Sequence, residues 1–170
     1  MFQYAGPRQL ISGGQTGADR AGLLAAERLG IPTGGWMPRG FLAADGKHPQ
    51  VAERFGMQQH RSPLYPPRTR ENIRAACATV CLEGVEESRG VVLTRELAAR
   101  EKKPLLRIRF IRGTHGEWQP DHTPADVAAW MIQLQVQVLN VAGNEESKAP
   151  GLQHAALTFL LVVLQPWARA

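Results

Sequence analysis

The residues Ser12, Gly13, Gly14, Gln15, Thr16 and Gly17, followed at once by Asp19 and Arg20, concentrate more ligand-competent groups than any other stretch of the chain. They lie between an apolar run ending at Ile11 and an alanine-rich amphipathic segment, so they read as a sharp turn from a strand into a helix. Such a turn gathers free backbone N–H groups and the positive end of a helix dipole at one point, which is the local chemistry of anion binding. Gly13 and Gly14 permit close approach of a ligand to the backbone, and Thr16 adds a hydroxyl. The same glycines also suit a plain tight connection, and a second or third loop is needed to separate the two readings.

Two further segments have the same character. Glu83 to Gly90 carries Ser88, Arg89 and Gly90, with Thr94 shortly after; Gly143 to Lys148 carries Gly143, Asn144 and Ser147. If each follows a strand of a parallel sheet, all three open on one crevice beyond the strands' carboxyl ends. The familiar phosphate motifs do not fit. A Walker loop needs Gly-Lys-Ser/Thr, whereas Gly17 is followed by Ala18 and Asp19. The dinucleotide fingerprint needs G-x-G-x-x-G and an acidic residue at the next strand end, and "GGQTG" followed by "IPTGGW" supplies neither. No Ser-His-Asp or Cys-His set can be assembled, since His48, His60, His115, His122 and His154 are scattered through loops and helix faces.

The elements that must position these loops alternate along the chain. "RQLISGG" reads as a strand and "DRAGLLAAERLG" as a helix stopped by Gly30. "IPTGGWMPRGFLAADGKHP" is too rich in Gly and Pro to be regular and reads as a long loop. "RTRENIRAA" is a short helix, "CATVCLEG" a buried strand, "ESRGVVLTRELAAREKKP" a loop leading into a helix, and "LLRIRFI" an alternating strand. "RGTHGEWQPDHTP" reads as a polar turn. It leads into "ADVAAWMIQLQ", a helix with Thr123 as cap and Pro124 in the first turn. "VQVLNVAG" is a strand and "GLQHAALTFLLVVL" a closing helix. Strand–helix alternation of this kind implies an α/β fold: a mostly parallel sheet with helices on both faces, three layers in all.

Composition sets the outer bounds. With 170 residues, 44% of them hydrophobic, the chain is of single-domain size, one domain over 1–170. No stretch approaches the roughly 20 apolar residues of a membrane span. The start "MFQYAGPRQ" lacks a signal-peptide layout, so a cytoplasmic location without membrane contact is expected. Cys77 and Cys81 fall on one face of a strand about 13 Å apart, too far for a disulfide. No second Cys/His pair accompanies them as zinc ligands, and both read as buried small hydrophobes. The net charge of +5 is uneven: residues 61–112 hold twelve Lys/Arg against six Asp/Glu, residues 113–170 two against five. That surplus means either solvated helix faces or attraction of a small anion. With 6% aromatics and none interleaved with basic residues, nucleic-acid binding is not favoured.

The blocks "LISGGQTGADRAGLLAAERLGIPTGGWMPRGFLAADG", "YPPRTRENIRAACATVCL", "SRGVVLTRELA", "KPLL" and "LNVAGNEESKAPG" closely resemble the molybdenum carrier family, the circularly permuted YpsA branch of the SLOG superfamily. The resemblance spans nearly the whole chain and implies a Rossmann-like fold. It also implies that molybdenum cofactor, molybdate or a nucleotide-like ligand is bound. The partners it suggests are molybdoenzymes or cofactor-synthesis proteins, and superfamily habit suggests a homo-oligomer, a dimer or tetramer. The family's glycine loop falls on Ser12 to Gly17 with Asp19 and Arg20, and its "GGWxPxG" element falls on Gly34, Gly35, Trp36, Pro38 and Gly40. Where the family reads close to "SGGTALTxELA", this chain has Arg89 for a glycine and Val91 for a threonine. Where it reads close to "NVAGPRES", Asn144 and Glu145 replace Pro and Arg, so one basic residue is lost and another gained.

Molybdate is a tetrahedral dianion that calls for N–H donors, hydroxyls and guanidinium groups in place of soft metal ligands, so no metal is expected to be ligated directly by side chains. Thr16, Ser88, Thr94 and Ser147 offer hydroxyls; Arg20, Arg39 and Arg89 offer guanidinium. A pterin-bearing cofactor would add ring contacts, for which Trp36 is a candidate, though Trp36 serves equally as a core-closing aromatic. Related superfamily members with phosphoribohydrolase activity place a glutamate after a glycine-rich loop, which makes Glu96 the catalytic candidate. The alternative function is therefore a nucleotide-binding protein or a nucleoside-monophosphate hydrolase.

Overall fold

The computed structural model describes residues 4–169; the reading of the amino terminus falls partly on residues outside that range. Along the chain run β1 (Gln9–Ser12), α1 (Ala18–Arg28), β2 (Thr33–Gly34), β3 (Trp36–Met37), β4 (Leu42–Ala43), β5 (Gly46–Lys47), α2 (Pro49–Phe55) and β6 (Gln58–Gln59). There follow α3 (Tyr65–Ala75), β7 (Ala78–Glu83), α4 (Arg89–Arg100), β8 (Leu105–Arg112), β9 (Trp118–Pro120), α5 (Pro124–Gln133), β10 (Val138–Gly143) and α6 (Leu152–Leu164).

Six strands form one sheet in the order β2-β1-β10-β7-β8-β9, parallel except for the β8–β9 edge. Helices α1, α5 and α6 pack together on one face, and α3 and α4 on the other. The result is the three-layer, Rossmann-like α/β architecture expected. Central β7 is buried at every residue and β10 at its four middle ones, as strands covered on both faces must be. Toward the edge, β8 alternates: Ile108 and Phe110 point into the core, while Arg107 and Arg109 point out and pair with Glu83 and Asp121. Phe110 meets Phe159 of α6 edge-on at 5.8 Å between ring centroids, in the arrangement the ring quadrupoles favour.

Several sequence expectations change in detail. The glycine- and proline-rich segment after α1 is not wholly irregular: β2 joins the main sheet beside β1, β3 pairs with β6, and β4 with β5 makes a small hairpin. Runs of two residues leave no periodicity to detect. The polar turn after β8 contains β9, which closes an antiparallel edge. Helix α3 begins three residues before the expected Arg68, because Pro66 and Pro67 sit in its first turn, where their missing N–H groups cost nothing. Thr123 caps α5 as expected and forms a reciprocal capping box with Asp126. Cys81 is buried, but Cys77 is exposed, since β7 starts one residue after it.

The sheet leaves β1 in one direction toward β2 and β7 in the other toward β8, with β10 between them, so the strand order reverses at β1-β10-β7. Asn144 bonds to the loops on both sides of its own. The Asn144 side chain, 1% exposed, accepts the Gly84 N–H at 2.8 Å and donates to the Glu86 carbonyl at 3.5 Å. Its own carbonyl accepts the Ala18 N–H at 3.0 Å. Asn144→Ala strands the buried Gly84 N–H and is expected to cost about 1–3 kcal/mol in urea unfolding; a loss under about 0.5 kcal/mol would mean that the loops are held by other contacts.

Candidate functional site

At this reversal point a crevice of about 560 Å³ opens beyond the strand ends. Four elements wall it. The turn after β1 and the first turn of α1 contribute Gln15 and Asp19. The start of α4 and the loop before it contribute Glu86, Glu87, Ser88, Arg89, Gly90, Leu93 and Thr94. The end of β10 and its loop contribute Ala142, Gly143, Glu145 and Lys148, and the first turns of α3 contribute Tyr65, Arg68 and Thr69.

Among the expected ligand residues, Gln15, Asp19, Ser88, Arg89, Gly90, Thr94 and Gly143 are therefore brought together. Ser88 caps α4 by accepting the Val91 N–H at 3.3 Å, and Thr94 donates to the Gly90 carbonyl at 2.8 Å. The N–H groups of Arg89 and Gly90, at the first two positions of α4, lie where a helix offers no internal acceptor. Arg89 is exposed on the crevice wall and forms no ion pair among the described residues, because neighbouring Glu87 pairs with Arg95 instead. Gly143 is obligatory there, since a Cβ would lie 1.9 Å from the Leu82 carbonyl oxygen.

The remaining expected residues lie off the crevice wall. Ser12 is fully buried; its Oγ accepts the Gly14 N–H and donates to the Asp19 carbonyl. The N–H groups of the first loop are largely engaged within the protein: that of Gln15 by Asp19, that of Thr16 by the Gln15 side chain, that of Gly17 by Gln153. The room in front of the glycines is likewise filled. A Cβ on Gly13 would lie 1.6 Å from an Arg68 nitrogen, on Gly14 2.9 Å from the Met37 side chain, and on Gly17 2.3 Å from the Asn144 carbonyl. Close approach at this turn thus serves packing of the chain against itself. Thr16 Oγ1 accepts the Glu146 N–H, and Ser147 donates to Glu145 at 2.8 Å. Arg20 is clamped to Asp45 of the β4–β5 hairpin by two bonds of 3.2 Å, Arg39 is exposed, and Trp36 is half-buried with its backbone bridged on both sides by the Asn72 amide. Glu96 is exposed on α4, outside the crevice lining, and none of the five histidines lines it.

Arg68 lies on the wall although its block "YPPRTRENIRAACATVCL" enters the sequence reading only through the family resemblance, which does not pick it as a site residue. Tyr65, Arg68 and Thr69 share one face of α3 by helical spacing, which is the only signal that could group them. The Arg68 side chain is 10% exposed, its Nε has no hydrogen-bond partner among the described residues, and its contact with Asp19 Oδ2 is 3.7 Å, longer than a hydrogen bond. The guanidinium carbon stands 5.5 Å from the Tyr65 ring centre, a cation–π contact. Burial pushes the guanidinium below its ordinary value and pushes the Asp19 carboxyl up, while each partner's charge opposes the other's shift. Among the described residues no group of three or more His, Cys, Asp or Glu is placed to hold a metal ion, and no helix is long and apolar enough to cross a membrane.

The model of the circularly permutated YpsA SLOG family matches residues 10–164, and the chain belongs to that family. A solved structure described as "Putative molybdenum carrier protein", from Syntrophus aciditrophicus SB, is 34% identical. The match covers 93% of this chain and 95% of that one, with a TM-score of 0.79. No curated protein matches.

The Asp19 shift sets a direction for stability against pH. Because its folded value is raised, the folded state keeps a proton that the unfolded chain has released, so stability from this group falls as pH rises. The contribution is complete below the ordinary aspartate range near pH 3.9 and is lost as pH rises through the raised folded value. Unfolding of the parent and of Asp19→Asn, compared from pH 4 to 8, is expected to show the parent's stability relative to the variant declining with pH. A flat or rising difference would show that Asp19 ionises at or below its ordinary value.

Proposed function

Proceeding from its place in this family, we propose that the chain is a binding protein that carries an anionic ligand of the molybdenum-cofactor class in the crevice at the ends of β1, β7 and β10. The observation that carries this reading is the crevice itself: about 560 Å³, at the strand-order reversal, with guanidinium, hydroxyl and free N–H donors on its wall. That volume lies in the range of about 300–1,000 Å³ typical of sites for organic small molecules and far exceeds the needs of a four-oxygen ion. A phosphate-bearing pterin or nucleotide uses the space; bare molybdate uses one end of it. The name of the Syntrophus protein supports molybdenum as the cargo.

In this reading Ser88, Gly90 and Thr94 set the polar wall, Arg89 supplies an exposed cation at the mouth, and Gln15 and Gly143 close the side formed by β1 and β10. The chain works in the cytoplasm as a dimer or tetramer, delivering its ligand to molybdoenzymes or cofactor-synthesis proteins. Light scattering of the purified chain checks the subunit number.

A thermal-shift screen of molybdate, tungstate, isolated molybdenum cofactor and nucleoside monophosphates at fixed ionic strength tests the reading. A true ligand at about 100 times its dissociation constant adds roughly 2.7 kcal/mol of stability. Stabilisation by the cofactor or by an oxyanion is the expected result; rapid base release from AMP, abolished by Glu96→Gln, would make the hydrolase reading correct instead. Arg89→Ala is expected to weaken the bound ligand by at least tenfold, the order of one charge-assisted contact of about 1.5–3 kcal/mol. A change under threefold would leave Arg89 a surface charge.

A further inference from the structure

Helices α5 and α6 carry one charged residue between them, Asp126, in a chain of which 21% is Lys, Arg, Asp or Glu. Burial explains part of this, since α6 packs between α1 and α5 over the sheet. It does not explain the outward rows. His154, Thr158 and Val162, at four-residue spacing on α6, are exposed, as are Ala125, Ala129 and Ile132 on α5; Val162 is 57% exposed and Ile132 47%. A helix face that meets only water ordinarily carries charged side chains, whereas depletion of charge marks the core of a protein contact.

The two ends of this face are charged, with opposite signs. α5 leads into β10 and α6 returns from it, so both helices run from the carboxyl edge of the strands to the amino edge. Exposed Arg8, Arg28 and Arg169 gather at the amino edge. The Arg8 N–H donates to the Gln137 carbonyl just before β10 at 2.7 Å, and the Arg169 N–H to the Leu29 carbonyl, next to Arg28, at 2.8 Å. Neighbouring Glu27 is taken by Arg54. From residue 113 onward, all five carboxylates, Glu117, Asp121, Asp126, Glu145 and Glu146, precede or open the two helices, with Lys148 the one cation beside them.

On the reading of the chain as a dimer or tetramer, we propose that two copies associate through the α5–α6 face about a two-fold axis, the helices of one copy antiparallel to those of the other. Such a contact lays the uncharged rows together and sets the arginine end of each copy toward the acidic end of its partner. A parallel arrangement would set arginines against arginines. The net charge of +5 opposes self-association, so copies meet where charge is sparse and its ends are complementary. An acidic partner of another kind would call for cations in the middle of the face, and α5 and α6 supply none. The contact also bears on the crevice. In the first turn of α6, Gln153 accepts the Gly17 N–H at 2.9 Å, and Glu146 accepts the Gly151 and Gln153 N–H groups, so the helix that meets the partner braces the loops after β1 and β10.

Sedimentation equilibrium of the full chain over a wide concentration range, at low and at high salt, tests this. The parent is expected to form a reversible dimer, or a tetramer built from such dimers. Val162→Glu and, separately, Ile132→Glu are expected to raise the dissociation constant of that dimer by about tenfold or more, each substitution counting twice in a symmetric contact. Their circular dichroism is expected to stay unchanged, because both side chains face solvent in the single chain. Arg169→Glu is expected to weaken the dimer by about threefold or more at low salt and less at high salt. In the parent, amide hydrogen exchange of α5 and α6 is expected to slow as concentration rises, a readout that stands even if a variant fails to fold. Association that both Val162→Glu and Ile132→Glu retain within about threefold, with no concentration-dependent protection of α5 and α6, overturns the face and leaves the oligomer reading intact. Association that responds to those variants but not to Arg169→Glu or to salt overturns the antiparallel arrangement. A parent that stays monomeric at every concentration overturns the face and the subunit reading together, while ligand binding is judged separately by the thermal-shift screen.

Discussion

Three loops from three strands have to meet without a covalent link, and buried Asn144 is the residue that bonds to both of the others from its own loop. Its side chain serves both a donor and an acceptor in the loop after β7, and its carbonyl takes the first helical N–H of α1. These groups are dry, so each bond left unmade would strand a backbone polar group. Gly143, one residue earlier, has no room for a side chain against the Leu82 carbonyl, and so fixes the path by which the chain reaches Asn144. The crevice is the space left when those strand ends are pinned in this way.

Its electrostatics are mixed. Arg68, Arg89 and Lys148 share the wall with Asp19, Glu86, Glu87 and Glu145, so the crevice is no general trap for anions, and selectivity rests on where each charge sits. Several of the arginines in the middle of the chain are engaged elsewhere. Arg70 and Arg74 hold Glu101, Arg95 holds Glu87, Arg107 holds Glu83 and Arg109 holds Asp121. Those are partly solvated pairs on helix and strand surfaces, worth little individually. Arg68 and Arg89 are the cations of that region that face the crevice.

The layered α/β fold is legible in the sequence because long buried strands and amphipathic helices carry their own periodicity: β7, β10, α1, α4 and α6 are each visible as patterns. Pieces of two or three residues are not. β2, β3 and β6 are defined by which backbone they pair with, and nothing in Thr33–Gly34 or Gln58–Gln59 announces a partner. The site is legible to the same degree. Ser88, Arg89, Gly90, Thr94 and Gly143 stand out by type and position and do wall the crevice, whereas Arg20, whose type is equally suggestive, is drawn away by Asp45, a residue 25 positions on.

What the sequence determined by itself was local: where strands stop and helices start, which turns need glycine, and that polar loops follow β1, β7 and β10. Those properties depend on a residue and its near neighbours, whose types and order are written in the chain. Which cation faces the ligand space was decided only by the tertiary structure. Arg68 looks like any charge on a short helix until α3 is laid against the β1 turn, where Gly13 gives it room and the surrounding chain takes away its water. Burial and the loss of hydrogen-bond partners are properties of an assembled surrounding, and no spacing along one segment encodes them.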